Sequence, residues 1–229
     1  MLNPGPNSQV GSGEGGAQKT LTDEVENYVQ SLLKQYDALQ EIIELKVVHD
    51  PILGSNVFKP YEVALIDLPL CQRLRKISQT DVASMVYPSA NHNRLEHSLG
   101  VATIAGRIIE SLRRRERTRQ ISLVTPQAEM EVRIAAILHD IGHGSFSHLS
   151  EEIFKDFPEI ELYRLQHPGM FDPGKPHEML SHLIIKSSTF QDYFKEQIVK
   201  KYRLPSLDPE RIAEFIIPGG GKHEFYGWQ

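Results

Sequence analysis

Ten consecutive residues, His139-Asp140-Ile141-Gly142-His143-Gly144-Ser145-Phe146-Ser147-His148, place three imidazoles and a carboxylate directly behind the apolar run Ile134 to Leu138. The apolar run belongs in a core. Histidine and aspartate are expensive to desolvate there unless they are hydrogen-bonded or metal-bound. The chain therefore has to fold around a polar site at a buried helix end, and a divalent metal is the simplest partner for it.

With 229 residues and 40% hydrophobic content, the chain can bury one substantial core without disulfide staples. Its one cysteine, Cys71, excludes an internal disulfide and reads as a small buried thiol in a reducing compartment. A net charge of −5 and a pI near 6.1 argue against a constitutive nucleic-acid or anionic-membrane binder. No run of about 18 apolar residues occurs, and the first twenty residues lack the pattern of a signal peptide. A soluble intracellular protein, in cytoplasm or nucleus, is expected.

Residues 1–20 are rich in Gly, Ser, Asn and Pro and read as a disordered leader, with one domain over 21–229. Thr22 is the expected cap of a first helix whose apolar stripe is Val25, Val29, Leu32, Leu33, Tyr36 and Leu39. Lys46 to Lys59 reads as a short β-hairpin. Helices are then expected over Ala64–Ile77, Glu96–Leu112, Gln127–Asp140, Ser147–Phe157, His177–Ser187 and Phe190–Tyr202, with a loop from Tyr163 to Pro176. On the second of these, Leu99, Thr103 and Gly106 form one packing row, and Val101, Ala105, Ile108 and Leu112 another. The five arginines between Arg113 and Arg119 read as a solvated helix end. The fold class is mainly α, with one hairpin.

His139 and His143 are four residues apart and share a helix face if the helix runs that far, while Asp140 reaches the same point from the helix end. A second motif, Asn91-His92-Asn93-Arg94-Leu95-Glu96-His97, opens a helix far enough upstream for one helix, a loop and a return helix to bring His97 back to His139. Taken alone, each histidine could be a core or capping residue; together, His97, His139 and Asp140 make a metal site. Gly219-Gly220-Gly221-Lys222 lacks the spacing and the following Ser/Thr of a phosphate loop.

The runs Asn93 to Val101 and His139 to His148 resemble those of the HD-domain phosphohydrolases, in the deoxynucleoside triphosphate triphosphohydrolase branch. The resemblance extends from His49-Asp50-Pro51-Ile52 through Gln72–Ile77 to His177-Glu178. It implies an HD-domain helical bundle and one divalent metal on His97, His139 and Asp140, with Fe, Mn, Zn and Mg not distinguished. A fourth ligand is implied from a later aspartate. Asp192 and Asp208 do not match its context, so the chain resembles an N-terminal portion, expected to bind metal weakly and turn over poorly.

By the same resemblance, Arg94 contacts phosphate, with no expected part in holding the fold, and Gln79 contacts the sugar 3′-hydroxyl. The family's Leu-Gly-Gly after that glutamine is Thr80-Asp81-Val82 here. His143, His148 and His177 line the triphosphate and leaving-group side, and Glu151 orients a histidine. Asp67, Gln72 and Arg75 correspond to residues that hold an activating guanine nucleotide in a homo-oligomer; ordinary surface polar groups are the alternative. The implied reaction is hydrolysis of dNTPs to deoxynucleoside and triphosphate. The competing readings are hydrolysis of another nucleotide phosphate ester, or a silent regulatory module.

Overall fold

The computed structural model describes residues 19–34, 36, 43–119, 124–171 and 174–217. The leader, apart from its last two residues, and the glycine run at 219–221 lie outside them, as does Leu39 of the first stripe. Among the described residues no helix is long and apolar enough to cross a membrane.

The elements are α1 (Leu21–Leu33), a hairpin of β1 (Lys46–Asp50) and β2 (Gly54–Phe58), then α2 (Pro60–Ile66), α3 (Pro69–Gln72), α4 (Arg94–Arg119), α5 (Pro126–Leu138), α6 (Ser147–Phe154), α7 (Pro158–Gln166), α8 (Pro176–Lys186), α9 (Ser188–Tyr193) and α10 (Pro209–Glu214). A π-helical segment, Phe194–Lys200, continues α9. The expected class, a helical bundle with one hairpin, is what the chain adopts. In the hairpin Lys46 pairs with Phe58 and Asp50 with Gly54. The Asp50 carboxylate accepts from the amides of Ile52 and Leu53 at 2.8 and 2.6 Å, and Gly54 takes the positive φ of 73° that closes the turn.

Several boundaries differ from the sequence expectation. The helix expected over Ala64–Ile77 breaks at Leu68, whose ψ of 144° is the conformation imposed by Pro69. Pro158 likewise ends α6 early and starts α7, which takes Tyr163 to Gln166 out of the expected loop. The cap of α1 is Thr20, in a reciprocal box with Asp23, and not Thr22. On α4, Ile108 is 55% exposed, and the buried row runs through Leu95, Ser98, Ala102 and Ile109.

Helices α4 and α5 pack against each other, and α10 packs on both α5 and α8. Leu65, Leu74, Leu95, Ile134, Ile137, Ile141, Ile185 and Phe190 form the dry centre. α1 packs on α8 and α9. Its Glu26 carboxylate accepts from the amides of Ser188 and Thr189 at 2.7 and 3.1 Å, so a residue of α1 caps the start of α9 from outside that helix.

A buried ion pair locks α5 to α2. Arg133 meets Glu62 through Nε at 2.5 Å and through its terminal nitrogen at 3.0 Å, and it donates to the Ala102 carbonyl of α4 at 3.2 Å. Gly106 leaves room for the guanidinium, which a Cβ at that position would strike. Arg133→Met, which leaves the Glu62 charge buried and unpaired, is expected to lower unfolding stability by about 3–5 kcal/mol in urea titration.

His182 of α8 is buried, with Nδ1 3.1 Å from the Ala213 carbonyl. Burial pushes its imidazole below the usual histidine range, with the Ala213 bond opposing. A depressed value means that the unfolded chain binds the proton more readily. This contribution to stability is therefore present above about pH 6.5 and is lost as the pH falls below it toward the folded-state value. His182→Gln should show a smaller drop in urea midpoint than the unmodified chain between about pH 7.5 and pH 5; parallel curves would assign the acid sensitivity elsewhere.

Candidate active site

The apolar face of α5 is drawn into the core, and the helix stops at Leu138, so His139 and Asp140 emerge together at the core's edge. The following loop is pinned from two sides. Ser181 of α8 accepts from the Gly142 amide at 2.8 Å and donates to the His139 carbonyl at 2.6 Å. Arg73 donates to the His143 carbonyl at 2.8 Å and to that of Ile141. Gly142 lies so close to α8 that a Cβ would collide with the His177 carbonyl and the Ser181 amide, so only glycine passes there.

Because the helix ends at Leu138, His139 and His143 diverge. His139 turns toward His97, their ring centroids 5.3 Å apart, while His143 stacks on His177 at 3.8 Å. The sequence-identified residues thus form two adjoining groups. His97, His139 and Asp140 are one; His143, His148, Glu151 and His177 are the other. In each group one ligand atom per residue lies within 4.8 Å of all the others.

Asp140 joins the groups. Its Oδ1 is 3.2 Å from His139 Nε2, 3.4 Å from His143 Nε2 and 4.0 Å from His177 Nε2, while Oδ2 accepts from Arg94 at 2.7 Å and lies 3.9 Å from His97 Nε2. Burial opposes its charge, yet the hydrogen-bonding and charge of His143, His139 and Arg94 hold the carboxyl well below the usual range. It is a carboxylate at neutral pH.

The first group fits a metal ion. His139 Nδ1 lies 2.9 Å from the Ala136 carbonyl, which sets that nitrogen as the N–H and turns a bare Nε2 toward the carboxylate. At 3.2 Å, His139 Nε2 and Asp140 Oδ1 can share a proton or a metal cation, and with Nε2 bare only the cation relieves their lone-pair repulsion. A backbone carbonyl behind a ligating imidazole is the usual outer support of such a site. Asp192 and Asp208 belong to neither group, and Asp208 is engaged in capping α10.

In the second group one atom, Glu151 Oε1, lies 2.7 Å from His148 Nδ1 and 2.6 Å from His177 Nδ1. Glu151 therefore sets two tautomers at once. Burial, aided by the adjacent His143, pushes His177 down to about 4, while Glu151 and Asp140 oppose the shift. Burial likewise lowers His143 and His97. Burial works against the charge of Glu151, but bonding to His148 and His177 leaves it below its ordinary value.

Gln79 sits on the strand-like pairing of Ser78 with Asn93 that leads into Arg94, and its Oε1 is buried without a partner. Elsewhere, at the hairpin's base, Arg75 donates to Gln72 at 2.7 Å, Gln72 reaches the Ile66 carbonyl at 2.8 Å, and Lys46 lies 3.7 Å from Asp67. Lys46 had no sequence signal tying it to this set. Sequence reasoning also missed Arg73 and Ser181, although Ser181 stands one helical turn after His177. A cavity of 810 Å³ behind the loop, walled mostly by apolar side chains such as Val25, Phe154, Ile160 and Leu180 but also by Lys19, Arg73, Glu24 and Glu159, touches the two groups only at His143.

Arg94 differs most from expectation. It is 1% exposed, and besides Asp140 it donates to Ser147 Oγ through Nε at 2.8 Å and through a terminal nitrogen. Ser147 is buried and holds a φ of +53°, a conformation that a non-glycine residue adopts only when its surroundings impose it. Arg94 thus braces α4 against the loop as well as facing the site. Arg94→Lys cannot span both partners with a fixed fork, and it should lower stability by about 1–3 kcal/mol in thermal melts. An unchanged melting temperature would show that the brace is dispensable.

The sequence profile of the HD domain matches residues 94–216. The chain is 39% identical over 80% of its length to the deoxynucleoside triphosphate triphosphohydrolase SAMHD1 of Mus musculus, 26% of which is covered, and 42% identical over 70% of its length to that of Gallus gallus, 24% of which is covered. An uncharacterized protein of Methanocaldococcus jannaschii is 32% identical over 74% of this chain and 30% of its own length. The chain spans about a quarter of the length of the curated SAMHD1 relatives it matches. With its His-Asp pair at a helix end, a histidine returning from α4 and a profile match over more than half its length, the chain belongs to the HD-domain family.

Proposed function

We propose that this chain is a metal-dependent phosphohydrolase that cleaves deoxynucleoside triphosphates to deoxynucleoside and triphosphate. The carrying observation is the junction at Asp140, which puts a metal-ligand set and a carboxylate-tuned set of imidazoles on one buried carboxylate. The similarity to enzymes named as deoxynucleoside triphosphate triphosphohydrolases supports the substrate class. A divalent ion held by His97, His139 and Asp140 would supply Lewis acidity toward the α-phosphate and a more acidic water.

The chain's own groups take the remaining roles. The side chain of His148 is 43% exposed and that of His177 is 7% exposed, so His148 is the imidazole that can draw a proton from solvent. It delivers that proton to the departing 5′-oxygen as the bond to the α-phosphorus breaks and water's oxygen replaces it. His177, too acidic to hold a second proton at neutral pH, stays neutral with Nε2 bare, and Glu151 keeps both rings in register. His143 lines the phosphate side, and Arg94 presents positive charge where it develops at phosphorus. Gln79 Oε1, an acceptor lacking a donor, suits a sugar hydroxyl. The linked Asp67, Gln72 and Arg75 suit an activating guanine nucleotide, bound in a homo-oligomer.

The test is product identity. The chain is charged with Mn2+, incubated with each dNTP, and its products are separated by anion exchange. Triphosphate is expected, and Asp140→Asn should reduce its release beyond the 10- to 100-fold that partners outside the metal shell typically carry. Release of orthophosphate alone, equal release by the variant, or no product from metal-loaded protein would each overturn the reading.

A further inference from the structure

His143 poses a problem that the proposed hydrolysis does not resolve. Its side chain is fully buried; Nε2 reaches only Asp140 Oδ1, at 3.4 Å, and Nδ1 has no hydrogen-bond partner, with Glu151 Oε1 3.8 Å away. Leaving a buried polar atom unsatisfied typically costs about 1–3 kcal/mol. Around it stand His148, Glu151 and His177, each offering a ligand atom within 4.8 Å of the others.

We propose that His143, His148, Glu151 and His177 form a second, inhibitory metal site selective for Zn2+. Three imidazoles and one carboxylate are a tetrahedral zinc set, whereas Mg2+ and Ca2+ prefer oxygen donors. With metal–ligand bonds near 2.1 Å, tetrahedral donors sit roughly 3.4 Å apart. Glu151 Oε1 now lies 2.7, 2.6 and 3.8 Å from Nδ1 of His148, His177 and His143. Each of these separations therefore needs to change by less than about 1 Å, within the reach of side-chain rotation. The site is separate from the first group, with which it shares no residue.

The proton balance explains the inhibition. With Glu151 accepting the Nδ1 protons of His148 and His177, both Nε2 atoms are left bare. Zinc on the Nδ1 atoms requires each neutral ring to carry its proton on Nε2 instead, a tautomer exchange with no net release. A ring whose Nδ1 is bound to zinc cannot become an imidazolium, so His148 stops acting as a proton donor. This inhibitory half rests on the hydrolytic role proposed for His148; zinc binding itself does not.

Equilibrium dialysis of the chelator-stripped full chain against Zn2+, followed by metal analysis, separates the two sites. Two equivalents are expected for the unmodified chain, one for His97→Ala, and one for each of the isosteric Glu151→Gln and His148→Ala, the latter at a half-exposed side chain. Long-range 1H–15N histidine spectra should show the Nδ1 signals of His148 and His177 changing with the second equivalent. A single equivalent abolished by His97→Ala, or two retained in both second-group variants, would overturn the site. For the Mn2+-charged protein, triphosphate release should fall to a few per cent as the second site fills; full occupancy with unchanged turnover would overturn the inhibitory half. If the chain hydrolyses no nucleotide at all, the stoichiometry and the spectra still decide the site.

Discussion

Everything at the site hangs on how the two oxygens of one buried carboxylate are shared. Asp140 Oδ2 is held by the Arg94 guanidinium, and Oδ1 faces three imidazoles. A desolvated carboxylate without such company would take up a proton. Arg94 keeps it charged, and the charge in turn keeps Arg94 in place against Ser147. That contact meets the positive-φ turn at Ser147, where α6 starts, one residue before His148. Site geometry and local fold are here one set of bonds, so Arg94 braces the fold through the same contact that charges the site.

Much of this was legible in the chain because the informative residues are local. The His139–His148 run, the Asn91–His97 motif and the hairpin around Asp50 and Gly54 each carry their signal within about ten residues. What escaped depends on distant partners. Glu62 and Arg133 are 71 residues apart, and nothing near either one announces the other. The burial of Arg94 required knowing that Ser147, 53 residues on, would rise to meet it. Equal spacing also misled: His139 and His143 suit one helical face, but the helix ends at Leu138 and sends them to different neighbours. The breaks at Pro69 and Pro158 were readable in principle, since each proline dictates the backbone before it.

The loop after Asp140 shows how tightly a site can be held without regular secondary structure. Its amides and carbonyls are taken by Ser181 and Arg73, and its glycine lies against α8 with no space for a methyl group. A loop so constrained behaves as part of the core, consistent with its buried Ile141. The imidazoles it carries are aimed by backbone that cannot drift.

The cap that Glu26 places on α9 has a consequence for how the chain is made. The carboxylate and the amide of Thr189 are separated by 163 residues. At ribosomal speeds of roughly 5–20 residues per second, Glu26 is synthesised about 8–33 seconds before its partner. During that interval α1, a 13-residue helix at the margin of independent stability, has no α8 or α9 to lie on. Helix α1 is thus among the last of the described elements to gain its full set of neighbours. The contact that completes the seating of α1 therefore leaves an amphipathic helix with α3 as its main early neighbour among the described elements, its remaining apolar face waiting on residues made near the end of the described chain.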